Sequence, residues 1–168
     1  TLSLHDALPI SSPPRRLKWA LSGSLPGTAN TTASAAEIVM AARVIEVAAG
    51  LVERDGQILI TQRKAGSHLA GLWEFPGGKR EAGESWEDCL IRELQEELAI
   101  TVSVGELRHE TVHHYPEKSV HLRFYAAGLI SGEPRAIDCA AVAWVSPKDL
   151  SGYAFPEADR ELVAQLAR

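Results

Sequence analysis

The sequence predicts a single α/β domain built as a sandwich around a mixed β-sheet. Short β-branched, apolar segments recur between turn residues, and one strongly amphipathic acidic helix lies in the middle of the chain. Strands and helices do not alternate regularly, which argues against a Rossmann-type parallel sheet. A length of 168 residues is sufficient for one hydrophobic core.

The composition is that of a soluble globular protein, with 45% hydrophobic and 23% charged residues. A net charge of −5 argues against binding of a nucleic-acid polymer. It is compatible with binding of a small anion together with a metal ion, because the metal ion supplies the positive charge. Two cysteines, Cys89 and Cys139, are too few for a disulfide framework and fit a cytoplasmic protein. No apolar run reaches the roughly 18 residues that a membrane helix needs.

Residues 1–39 differ from the rest in composition. Ser, Thr, Pro, Gly and Ala dominate them without a hydrophobic period, so we expect disorder. Residues 1–10 resemble a translated sequencing-adapter oligonucleotide, which indicates that they are an assembly artefact. We expect the residues after them to be untranslated upstream sequence, and translation to start naturally at Met40. A signal peptide around Arg15–Leu21 and a genuine disordered extension are the alternatives. We expect residues 40–168 to fold and act alone.

The first predicted elements are strands. Val44–Val52 and Gln57–Thr61 are apolar and β-branched, and Asp55-Gly56 between them predicts a hairpin turn. Leu72–Phe75 predicts a short strand. Pro76–Gly78 predicts a tight loop, because proline lacks a donor and glycine permits unusual dihedral angles.

The clearest predicted helix runs from Ser85 to Leu98. Ser85 can cap its start, with Asp88 three residues later as in a capping box. Leucines at positions 90, 94 and 98 form a core-facing stripe. Later segments predict two strands (102–115 and 120–130) joined by a turn at 116–119, a strand (140–145) and a closing helix (157–167).

An acidic cluster lies on the predicted helix. Glu93, Glu96 and Glu97 fall on one face at spacings of three and four. Their repulsion destabilises the fold unless a cation lies between them, and carboxylate oxygens favour Mg²⁺ or Mn²⁺. A solvated acidic surface is the alternative interpretation of these acids alone.

The spacing around the acids is more specific. Gly78, five residues, Glu84, seven residues and then Arg92–Ile100 resemble the Nudix box, G-x5-E-x7-R-E-U-x-E-E-x-G-U, where U is bulky and apolar, at eight of nine specified positions. Ala99 replaces the last glycine, so we expect a left-handed backbone there at a cost of about 1 kcal/mol. Similarity to MutT-type Nudix hydrolases extends over nearly all of residues 42–168.

This resemblance implies a Nudix α/β/α sandwich and Mg²⁺-dependent hydrolysis of a nucleoside triphosphate to a monophosphate and pyrophosphate, with Mn²⁺ able to substitute. The implied metal ligands are Gly77, Glu93, Glu96, Glu97 and Asp138. Glu93 and Asp138 are both candidates for the general base. Arg92 would orient the acids through ion pairs. Glu84 would brace the preceding loop, or would simply be an acid favoured by the helix dipole.

The resemblance also implies a substrate pocket. Arg63 and Lys79 are expected to contact phosphate, and Lys118 to lie near the base. Asp159 would accept hydrogen bonds from the base, or would only cap the last helix. Phe75, His68 and Tyr115 are candidates for a stacking wall.

We expect 8-oxo-dGTP as the substrate, in nucleotide-pool sanitation, with CTP or dCTP as the alternative. An ADP-ribose or dinucleotide hydrolase would need extra segments that are not recognisable here. A non-catalytic base-recognition module would be expected to lack the box acids. No obligate protein partner is predicted.

Overall fold

The computed structural model describes residues 44–116 and 118–168. The predictions about residues 1–39 and about the translation start lie outside these residues.

The described chain contains seven strands and two α-helices, with two short 3₁₀-helices near its C-terminal end. The strands are β1 (Val44–Arg54), β2 (Gln57–Gln62), β3 (Trp73–Glu74), β4 (Gly77–Lys79), β5 (Thr101–Tyr115), β6 (Lys118–Ser131) and β7 (Ala141–Val145). The helices are α1 (Trp86–Leu98) and α2 (Arg160–Leu166), and the 3₁₀-helices are Pro147–Gly152 and Glu157–Asp159.

The strands form one mixed sheet in the order β3-β2-β1-β6-β5, with β7 paired to β2 and β4 paired to β1. β1 and β6 are parallel, from the pair Val44–Ser119 to the pair Glu53–Gly128. The other pairings are antiparallel. The predicted α/β class with a mixed sheet is confirmed.

The predicted hairpin between β1 and β2 is also confirmed. Asp55 and Gly56 have φ angles of 51° and 74°, so both turn residues are left-handed, as a type I′ turn requires.

The prediction of a loop at Pro76–Gly78 is wrong in part, because Gly77–Lys79 form β4 along β1. The pairing joins residues about thirty positions apart, which no local pattern indicates. It brings the two backbones very close. A Cβ atom on Gly77 would lie 2.0 Å from the Ala48 carbonyl oxygen, so glycine is needed there. The predicted turn at 116–119 is shorter than expected, since Lys118 already belongs to β6.

Helix α1 begins and ends largely as predicted. The Ser85 hydroxyl oxygen accepts the Asp88 backbone N–H at 3.0 Å. The Asp88 carboxylate accepts the Ser85 hydroxyl rather than the Ser85 backbone N–H, so half of the capping box forms. Ala99 adopts φ 56° and ψ 37°, which confirms the predicted left-handed helix end. A methyl side chain therefore occupies a conformation that favours glycine.

The sheet is covered on both faces. Leu90, Leu94 and Leu98 of α1 are fully buried against Ala48 and Val52 of β1. The opposite face packs Ala49 and Leu51 of β1 against the C-terminal segments, with Leu150, Leu162 and Val163 in the same cluster. This is the predicted α/β/α sandwich. Within the described residues, no helix is both long and apolar enough to cross a membrane.

Candidate active site

A cavity of about 340 Å³ begins on the α2 side of β1 and β6 and extends past β4 to two carboxylates of α1. It is lined by four acids and three cations, namely Glu74, Glu93, Glu97, Asp159, Arg63, Lys79 and Lys118. The structure thus brings together all the residues predicted to bind substrate, which are Arg63, His68, Phe75, Lys79, Tyr115, Lys118 and Asp159. Of the predicted metal ligands, Gly77, Glu93 and Glu97 line the same cavity.

Arg92 is the centre of an ion-pair network at the α1 end. Its guanidinium binds both carboxylate oxygens of Glu84, at 2.8 and 3.0 Å, and Glu93 at 2.9 Å. A weaker contact reaches Glu96 at 3.3 Å, and another hydrogen bond goes to the Lys79 carbonyl oxygen at 3.1 Å. The Arg92 fork lowers the pKa of Glu84 to about 2. The network therefore fixes the loop before α1 to the face of the helix that carries the acids.

Glu93 lies directly against the backbone of Gly78. A Cβ atom at position 78 would be 2.2 Å from the Glu93 carboxyl carbon, so a side chain there would displace the Glu93 carboxylate. The first glycine of the box thus leaves the space that this carboxylate occupies.

Glu97 carries a charge that the site disfavours. Burial, together with the negative charges of Glu93, Glu74 and Asp138, raises the pKa of its carboxyl group to about 7 against a smaller opposing effect of Arg63. A cation among these oxygens would relieve both effects. The donors are carboxylates and one backbone carbonyl, so the residues present fit Mg²⁺ or Mn²⁺ by charge and by hardness.

The side chains are not arranged around an ion, however. Across residues 44–116 and 118–168, no three Asp, Glu, His or Cys side chains converge closely enough to hold one. The Glu96 side chain is 61% exposed and contacts Arg92. The Asp138 side chain is 59% exposed and pairs with Lys64. Neither lines the cavity, so both would have to turn to act as ligands.

Glu74 is a cavity acid that the sequence analysis missed. Its carboxylate pairs with Arg63 at 2.5 Å, and Arg63 also donates to the His68 carbonyl oxygen at 2.6 Å. Burial raises the pKa of Glu74, although Arg63 opposes the shift. An acid between two aromatic residues of a predicted strand, Trp73 and Phe75, was the signal that could have identified it.

The opposite end of the cavity contains Asp159, which is only 3% exposed. Asp159 occupies the N-cap position of α2, but its side chain makes no capping hydrogen bond, so the side chain does not act as the helix cap of the alternative interpretation. Burial raises the pKa of Asp159 to about 7, and the charge of Glu74 adds to the shift.

Aromatic rings flank this buried acid. The rings of His68 and Tyr115 meet edge to face at 5.5 Å. Phe75 belongs to the core, with its ring centroid 5.3 Å from that of Phe155, and contributes to the cavity wall. A buried acceptor beside aromatic rings is a suitable arrangement for a heterocycle that carries N–H groups.

Comparison with known proteins agrees with this geometry. The family model described as NUDIX domain matches residues 47–165. The chain is 40% identical to the CTP pyrophosphohydrolase of Escherichia coli over 121 residues, which cover 72% of this chain and 90% of the relative. It is 38% identical to the 8-oxo-dGTP diphosphatase of Haemophilus influenzae, covering 74% of this chain and 92% of the relative.

A solved structure shows the same fold. The MutT NUDIX hydrolase from Burkholderia pseudomallei superposes with a TM-score of 0.67 at 30% identity, over 73% of this chain and 98% of that one. Fold, box and relatives agree: the chain belongs to the Nudix hydrolase family.

Proposed function

We propose that this protein is a Mg²⁺-dependent nucleoside triphosphate pyrophosphohydrolase that converts a triphosphate and water into a monophosphate and pyrophosphate. The observation that carries the proposal is the single cavity that joins the box acids at one end to the buried Asp159 at the other. Its lining suits a ligand with a polyphosphate and a base.

The charge balance of the cavity supports a requirement for metal. The lining has four acids against three cations, so it offers little or no net positive charge to a polyphosphate anion. Glu93, Glu97 and the Gly77 carbonyl would hold Mg²⁺, with Glu96 and Asp138 joining after they leave Arg92 and Lys64. When bound, Mg²⁺ offsets polyphosphate charge and makes a water molecule more acidic.

The protein's own groups then have defined tasks. Water attacks the β-phosphorus in line, the bond from that phosphorus to the α-phosphate oxygen breaks, and pyrophosphate and the monophosphate are released. Glu93 or Asp138 accepts the proton of the attacking water. Arg92 orients Glu93 through their 2.9 Å ion pair. Arg63 and Lys79 contact the phosphates, while Lys118 lies nearer the base.

The first expected substrate is 8-oxo-dGTP, the nucleotide in the name of the Haemophilus influenzae relative. Guanine and its oxidised form present N–H groups from which an ionised Asp159 can accept hydrogen bonds. CTP or dCTP is the second candidate, because the cytosine amine is also a donor and the Escherichia coli relative at 40% identity is named for CTP.

A substrate panel tests the proposal. We expect pyrophosphate release from 8-oxo-dGTP that depends on Mg²⁺ and is abolished by EDTA, with dGTP, CTP and dCTP measured alongside. A higher kcat/KM for CTP or dCTP would assign the second substrate. Absence of pyrophosphate release from every triphosphate, in protein that is folded and binds Mn²⁺, would refute the activity itself.

A further inference from the structure

We propose that Arg80 is a positioning residue of the active site, because it fixes the loop that presents Glu84 to Arg92. This inference rests on the proposed function, since Arg80 acts on the acids that function requires. The loop consists of residues 80–85, between β4 and α1.

The Arg80 side chain connects strand β1 to the C-terminal part of the loop. Its Nε donates to the Glu46 carboxylate on β1 at 2.9 Å, and its Nη2 contacts the same oxygen. Its Nη1 donates to the Glu84 carbonyl oxygen at 2.5 Å. The Arg80 backbone N–H also donates to the Glu46 carbonyl oxygen at 2.9 Å. The guanidinium therefore ties the central strand to the end of the loop near Glu84, and the backbone N–H ties the strand to the start of the loop.

The loop depends on contacts at its ends. Residues 81–83 are exposed, and Gly83 has a φ of 83°. Within the loop, Glu84 closes a turn, because its backbone N–H donates to the Glu81 carbonyl oxygen at 3.2 Å and its carboxylate accepts the Glu81 N–H at 3.0 Å. The bond from Arg80 to the Glu84 carbonyl oxygen attaches this turn to Glu46 on the sheet.

The position of Glu84 is transmitted to the box acids. Both Glu84 oxygens receive the Arg92 fork, and the same guanidinium binds Glu93. If the loop shifts, Arg92 loses its bidentate partner and Glu93 loses a fixed donor. Arg80 itself is absent from the cavity lining, so its effect passes through Glu84 and Arg92.

A second arginine supplies a matched control. The guanidinium carbons of Arg80 and Arg123 lie 5.2 and 4.6 Å from the ring centroid of Trp86, the first residue of α1. Arg123 belongs to β6 and pairs with Glu110 at 2.7 Å. Both arginines thus support the same indole, but Arg80 is the one that bonds to the loop. Replacing Arg123 tests the stack without breaking the loop contacts.

The experiment compares Arg80→Ala and Arg80→Lys with Arg123→Ala. Lysine keeps the charge but lacks the planar fork that reaches Glu46 and Glu84 together. Three quantities are measured: kcat and KM for the preferred triphosphate, Mn²⁺ affinity without nucleotide by electron paramagnetic resonance, and the melting temperature.

We expect both Arg80 variants to lower kcat by about 10- to 100-fold and to weaken Mn²⁺ binding, with KM near the wild-type value. Arg123→Ala should leave kcat and Mn²⁺ affinity unchanged, whatever its effect on the melting temperature. Glu46→Gln should reproduce part of the Arg80→Ala loss, and the double variant should add little, because both changes break one contact.

Wild-type kcat and Mn²⁺ affinity in Arg80→Lys would overturn the inference. Equal losses in Arg123→Ala and Arg80→Ala would do the same, because they would indicate a general effect on stability. If the wild-type protein hydrolyses no triphosphate, the proposed function fails separately, and the Mn²⁺ measurement still tests Arg80.

Discussion

The two ends of the cavity hold their acids in opposite ways. At the α1 end, Arg92 pairs with Glu84, Glu93 and Glu96. At the other end, Asp159 is 3% exposed, and the ion pairs of the described residues include none to its carboxylate. One end is pre-organised by the protein. The other leaves a buried carboxylate in the cavity wall without an ion-pair partner among the described residues, and this suits it to hydrogen bonding with a base.

The largest expected effect is at the pre-organised end. Glu97→Gln keeps the shape of the side chain and removes its charge, so kcat should fall by roughly 10²- to 10³-fold. The fold should persist, because the substitution removes a carboxylate whose burial already disfavours its charge. Steady-state kinetics and circular dichroism check this. Glu87→Gln, in the exposed first turn of the same helix, is the control, and normal turnover by Glu97→Gln would contradict the assignment.

A smaller effect, confined to substrate choice, is expected at the opposite end. Asp159→Asn replaces an acceptor by a group that also donates. Loss of a hydrogen bond to a charged group costs about 1.5–3 kcal/mol, so KM for the preferred base should rise about tenfold or more while kcat changes little. The measurement is kcat and KM for the full nucleotide panel. Inhibition by inorganic tripolyphosphate should be unaffected, and an equal rise in KM for every base would argue against base recognition.

Asp159 should also make stability depend on pH. Its pKa is raised from 3.8 to about 7 in the folded protein, so the folded state holds this proton over a range where the unfolded state has lost it. The stabilisation is fully present below pH 3.8 and is lost as pH rises through about 7.

The melting temperature of metal-free protein, measured across this range, tests the sign. Asp159→Asn should reduce the decline that occurs between acidic and neutral pH. An identical pH profile in the variant would show that Asp159 does not hold its proton in the folded state.

The smallest effect is expected outside the cavity, at the end of α1. Ala99→Gly removes a methyl group from a residue at φ 56°, so the free energy of unfolding should rise by up to about 1 kcal/mol. Urea denaturation measures the gain, and kcat should not change. A loss of stability would mean that the entropy of glycine in the unfolded chain outweighs the relief of strain.

Features at the α1 end were predictable because they are local. The Ser85 cap and the leucine stripe follow from spacings within one helix, and the left-handed Ala99 follows from its place at the last glycine of the box. The box motif then implied which acids share a face. The directions in which the acid side chains point were less predictable. Glu96 and Asp138 point toward Arg92 and Lys64 rather than into the cavity, because each side chain follows its nearest cation.

Features that depend on pairing between distant segments were missed. β4 forms only because β1 lies beside it, and a Pro-Gly-Gly segment carries no strand signal of its own. Glu74 enters the site because β3 pairs with β2, which brings it to Arg63. The connection from Glu46 through Arg80 to Glu84 likewise joins β1 to a loop that follows it by about thirty residues.

The parallel pairing of β1 with β6 has a consequence for how the chain is made. The two strands lie side by side at the centre of the sheet, yet the whole box helix is synthesised between them. A ribosome therefore exposes the apolar strand β1 before its parallel partner β6 exists, and such long-range pairing forms slowly. We expect nascent chains that end before Lys118 to stay protease-sensitive, and protection to arise only once β6 has emerged.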